Sequence, residues 1–138
     1  MNRNTVIALA VGALGFAGAA LAEPVTTGVL IRGITVPGAG TSGQQIPNTT
    51  CSFDNEDVDE RGAMEHASVQ CKKNSDEATT RRGLPARFNA YCVVDRSRVG
   101  GRVITDPEKG PPRNDNHCLL SGVKPADAHR AFGKAVWR

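Results

Sequence analysis

Residues 88–106 read FNAYCVVDRSRVGGRVITD, and this stretch decides the fold. Phe88, Tyr91, Val93, Val94, Val99, Val103 and Ile104 are of the β-branched and aromatic types that suit a pleated, half-buried surface. They predict two strands, about 88–95 and 102–105, linked through 96–101 as an antiparallel hairpin. Gly100 and Gly101 supply the positive φ that tight hairpin turns require. Arg96, Arg98 and Arg102 then fall on or beside the turn.

Downstream, TDPEKGPPRNDN at 105–116 reads as a loop, because its prolines cannot sustain a ladder or a long helix. The tail SGVKPADAHRAFGKAVWR predicts a helix from Pro125 to about Val136. Proline suits a first helical turn, Asp127 favours the positive helix end, and Lys134 and Arg138 the negative one. Ala128, Phe132, Ala135 and Val136 form its apolar stripe.

Upstream, NSDEATTRRGLPAR at 74–87 is polar and ends in Gly83 and Pro85, the composition of a turn. A helix is expected from about Val58 to Lys73, with Ala63, Ala67 and Cys71 at i, i+4, i+8. SVQC within it equally suits a short strand. Residues 37–49 read as linker. Val29-Leu30-Ile31 and Ile34 suggest one short strand in an arm, 23–50, expected to pack loosely before a disulfide-held core at 51–138.

The first 22 residues have the layout of a signal peptide: Arg3, then an uncharged run, then Ala20 and Ala22 as the A-x-A cleavage pair. The expected mature chain, 23–138, is secreted or periplasmic and carries no further apolar stretch that would anchor it in a membrane. It has 25 large apolar or aromatic residues, a thin supply for a core, so staples are expected. Cys51, Cys71, Cys92 and Cys118 form an even set in a compartment that permits disulfides. Adjacent pairing, Cys51–Cys71 with Cys92–Cys118, is expected. Cys71–Cys92 with Cys51–Cys118 is the alternative.

The expected class is therefore a small α+β domain with a short antiparallel hairpin or sheet, two disulfides and a C-terminal helix. Its charges are uneven. Residues 54–65 carry a net −5, and the chain from His66 onward a net +7. Arg96, Arg98 and Arg102 could face an anionic partner, a protein or an envelope component. Nucleic acid is not expected, since the chain is exported and its total charge is small.

Chemistry is sparse. His66, His117 and His129 are the three histidines. His117 and Cys118 are neighbours, but neighbours on a strand point to opposite faces. His66, Cys71, His117 and Cys118 lack the C-x₂-C spacing of structural zinc sites. Asp57-Val58-Asp59-Glu60-Arg61-Gly62 imitates the opening of an EF-hand loop but has Ser68 where a bidentate Glu belongs. No spacing fixes Asp57 and Glu60 as a glycosidase pair. G-x-S-x-G, H-E-x-x-H, G-x-G-x-x-G, the phosphate-binding P-loop and C-x-x-C are all absent. Asn48-Thr49-Thr50 is a formal glycosylation acceptor.

No catalytic residue and no cofactor follow from this inventory. The expectation is an exported, non-enzymatic binding or accessory protein of the cell envelope, its ligand unknown. A small secreted hydrolase using histidine and carboxylates is the runner-up, and a structural or inhibitory module acting through an Arg-rich hairpin the third class.

Overall fold

The computed structural model describes residues 21–72 and 74–138. The segment read as a signal peptide lies almost wholly outside them. The elements in chain order are β1 (Val29–Ile34), β2 (Gln45–Thr50), β3 (Ala67–Cys71), α1 (Glu77–Arg82), β4 (Ala90–Asp95), β5 (Arg102–Thr105), β6 (His117–Ser121), α2 (Pro125–Phe132) and β7 (Lys134–Trp137). The domain is α+β, with one antiparallel sheet, two disulfides and a helix near its C-terminus.

Among the described residues, seven strands lie in the order β2-β7-β4-β1-β3-β6-β5. Both strands expected around 88–105 form, but they do not pair with each other. β4 pairs with β1 and β7, whereas β5 pairs with β6. The Arg-rich segment is thus a crossover over the end of the sheet, with a 3₁₀ turn at Arg96–Arg98. Gly101 is needed for another reason than a hairpin. Its φ is +74, and a Cβ there would stand 2.2 Å from the Ser121 carbonyl oxygen.

The arm expected to pack loosely supplies the middle strand. Leu30 and Ile31 of β1 are completely buried, because β1 is gripped by β4 on one side and β3 on the other. Residues 23–25 are also tied down: Val25 N–H donates to Val103 O at 2.8 Å and Thr105 N–H to Glu23 O at 2.9 Å. The linker at 37–49 gives way to edge strand β2, so Asn48 lies on a strand with φ 53 rather than in a loop.

The helix expected over 58–73 is absent. Val58 bridges Met64, and residues 67–71 form β3. The acidic segment folds locally instead: Asp59 Oδ1 accepts from Arg61 N–H and Ala63 N–H. Conversely, the expected turn at 74–87 contains α1. Asp76 caps it by accepting from Thr79 N–H at 2.9 Å, the capping role that suits Asp. That backbone bond, with Thr79's side-chain bond second, holds the Asp76 carboxyl below the usual carboxylate range. The C-terminal helix starts at Pro125 as expected but stops at Phe132. Residues 134–137 then pair as β7 between β2 and β4.

Strand alternation sends side chains to two faces. Leu30, Cys71, Cys92, Val94, Cys118 and Leu120 point to the main core, together with Phe53, Met64, Ala128 and Phe132. The disulfides are Cys51–Cys92 and Cys71–Cys118, the interleaved pairing rather than either expected one. The reason is β1. It separates β4, which carries Cys92, from β3, which carries Cys71. Cys118 lies on the strand beside Cys71, opposite Val69.

Candidate functional site

The second face of the sheet builds the site. A register row crosses it: Val93 on β4, Ile31 on β1, Gln70 on β3 and His117 on β6. Asp106, just after β5, continues the row through its N–H bond to His117 O at 2.8 Å. Its first half is apolar and its second half polar. The apolar half is roofed by the segment after α1, with Leu84 and Phe88 packed near Ile31 and Tyr91. Gly33 makes this roof fit, since a Cβ there would stand 2.6 Å from the Phe88 ring and 2.8 Å from Leu84.

Where that roof ends, a cleft of about 380 Å³ opens, with Ile31, Gly33, Ser68, Gln70 and His117 among its lining and Leu84, Pro85 and Phe88 against them. Arg32 and Arg87 also line it. A wider depression adjoins it, sharing Arg87, Glu108 and Asn114 and adding Lys72, Arg82 and Arg113.

The wall is rigidly braced. Arg138 donates to Leu84 O at 2.7 Å, Pro85 O at 2.8 Å and Phe88 O at 3.1 Å. Buried Gln70 donates from Nε2 to Gly83 O at 2.7 Å, and its Oε1 accepts from Asn114 Nδ2 at 2.7 Å. Asn114 Oδ1 accepts in turn from Asn116 N–H. Beneath α1, the Tyr91 hydroxyl donates to Glu77 Oε1 at 2.8 Å. Burial, and then that carboxylate, push the Tyr91 phenol above its ordinary value.

At the polar end, His117 Nδ1 stands 2.9 Å from Asp106 O and 3.1 Å from Asp106 Oδ2. Both partners are acceptors, so the neutral ring carries its proton on Nδ1. Nε2 is then the acceptor, and the Ser68 hydroxyl, 3.0 Å away, donates to it. Beside this chain Arg32 Nη1 donates to Ser68 O at 2.8 Å, while Nη2 pairs with Glu56 Oε1 at 2.8 Å. The Arg32 guanidinium also lies 4.4 Å from the centre of the Phe53 ring.

The residues singled out from sequence scatter. Arg96 turns inward, donating to Val25 O, Val99 O and Gly101 O at 2.7, 2.6 and 3.1 Å. Arg98 and Arg102 are exposed. His66 is exposed, and His117 and Cys118 point to opposite faces, as their adjacency on a strand implied. All four cysteines are in disulfides, so none is a thiolate ligand or nucleophile. Among the described residues, no three His, Cys, Asp or Glu side chains converge as a metal site. Sequence reasoning missed Arg32, Ser68, Gln70, Asp106 and Asn114. The signal for two of them was the alternation in SVQC, which as a strand puts Ser68 and Gln70 on one face.

No family model matches the chain, and no solved structure does. The chain is similar to protein RhiC from Rhizobium leguminosarum bv. viciae. The two are 47% identical over 117 residues, covering 85% of this chain and 76% of that protein.

Proposed function

Since the chain belongs to the family of protein RhiC, a name that specifies no chemistry, we propose its function from the cleft: an exported protein that binds a small organic ligand carrying a carboxylate or acyl group. One observation carries this reading. The cleft joins an apolar half, Ile31, Leu84 and Phe88, to a polar half bearing His117 and Ser68. Concave sites with an apolar body and a few placed polar groups are the usual form of small-molecule sites. A short hydrocarbon chain suits the first half and an acidic or carbonyl oxygen the second.

Export is part of the proposal. Arg3, the apolar run and the Ala20/Ala22 pair support it, and two disulfides suit an oxidising compartment. The bacterial source of the relative is compatible with a periplasmic or secreted product. Intact-mass measurement of the exported protein should give Glu23 as its first residue, and Met1 retained in a membrane fraction would contradict it.

The binding claim is tested with sodium butyrate as the probe, titrated into isotopically labelled protein and followed by amide resonances. Saturable shifts around Gly33, Gln70 and His117 are expected. An anionic envelope partner at Arg98 and Arg102 has less support, because Arg96 is committed to its own loop.

A further inference from the structure

We infer that Ser68 is a nucleophile activated by His117, so that the cleft hydrolyses short-chain acyl esters. The inference rests on the proposal that the cleft takes an acyl ligand, and goes beyond it by assigning a reaction. Three strands bring the groups together. Ser68 lies on β3, His117 on β6, and Asp106 follows β5. Because Nδ1 is occupied by the two Asp106 oxygens, Nε2 faces Ser68 with its lone pair at 3.0 Å. That is the relation a base needs to a hydroxyl nucleophile. The imidazole is largely shielded, with its side chain 11% exposed, whereas Ser68 is exposed to incoming substrate. A hydroxyl–imidazole–carboxylate chain of this kind is recognised by geometry and not by order in sequence.

The reaction balances with water as the only co-reactant. Ser68 Oγ bonds to the acyl carbon while its proton passes to Nε2, and the carbonyl pair moves onto oxygen. Collapse of that intermediate breaks the carbon–alkoxide bond, and the alkoxide leaves as the alcohol with the Nε2 proton. Water then adds to the acyl-Ser68 ester, giving one proton to Nε2. Collapse expels Ser68 Oγ, which takes that proton back, and releases the acid. Asp106 is a positioning residue, since it orients His117 and touches no substrate.

The test uses the full exported protein with p-nitrophenyl butyrate for turnover and a fluorophosphonate for covalent capture. A single adduct mapped to Ser68 is expected. S68A and H117Q should each lower kcat/KM at least ~100-fold, the low end of what a positioned general base contributes. D106N should lower kcat about 10-fold with KM unchanged, a small loss for such a change because the Asp106 main-chain oxygen still holds Nδ1. Unchanged melting curves keep these comparisons valid, and S68A should fold normally because its side chain is exposed. Turnover retained in S68A, or an adduct elsewhere, overturns the inference. If butyrate shifts cleft resonances but the ester is not cleaved, the binding reading stands and the nucleophile falls. If neither occurs, both fall.

Discussion

Gln70 and Asn114 join their side-chain amides at 2.7 Å beneath the segment that follows α1, and both are buried. The bond links β3 to the 105–116 loop, while the other end of Gln70 holds Gly83 O. A buried amide left without its partner costs about 1–3 kcal/mol. Q70A removes a partner from both Asn114 Nδ2 and Gly83 O. It should therefore destabilise the domain by roughly 2–4 kcal/mol in denaturant titration, with faster amide exchange at 83–88. A loss below about 0.5 kcal/mol, the range of ordinary surface changes, would mean the bridge is not what fixes the wall.

Tyr91 gives an alkaline signature. It is the sole tyrosine, so phenolate absorbance reports it alone. Burial and the Glu77 carboxylate hold its proton more tightly in the folded state. Its contribution to stability is then complete below the ordinary tyrosine value of about 10 and is lost as pH rises through the raised folded value. Phenolate should appear at higher pH in folded than in unfolded protein. The stability advantage of wild type over Y91F should shrink as pH climbs through that window. Ionisation at the ordinary value or below would show that the Glu77 contact does not persist.

The interleaved disulfides close loops of 41 and 47 residues in sequence separation. Each should stabilise the domain by about 4 kcal/mol through the unfolded chain, against a total stability of about 5–15 kcal/mol. Reduction of both should abolish cooperative thermal unfolding. Cleavage at Arg61, Arg82, Arg102 and Arg113 leaves each cysteine on its own peptide. Non-reducing mass mapping should join the Cys51 peptide to that of Cys92, and the Cys71 peptide to that of Cys118. Any other pairing would contradict the strand order, because β1 intervenes.

Local features were legible in the residues and long-range ones were not. The β-branched run at 88–105 announced β4 and β5, and Pro125 with Asp127 announced α2. Their pairing was hidden because Gly100-Gly101 imitates a hairpin turn, whereas Gly101 is small to admit the Ser121 carbonyl. The arm was expected to pack loosely because a short apolar run followed by a Gly- and Pro-rich stretch gives no sign of being central. Once β1 is misplaced, the disulfide pairing is misjudged as well. The site suffered most. Ser68, Gln70 and His117 belong to two strands 47 or more positions apart, and Arg32 to a third, so only the sheet register brings them to one cleft.

The proposed ligand of this cleft is a small carboxylate or acyl compound. Sodium butyrate titrated into isotopically labelled protein tests it most directly, read by amide resonances with an affinity expected near ~1 mM, about 4 kcal/mol of binding. Saturable shifts confined to Gly33, Gln70, Phe88 and His117, and weakened in H117Q, are the predicted result. Shifts that fail to saturate, or that cluster at Arg98 and Arg102 instead, would contradict it.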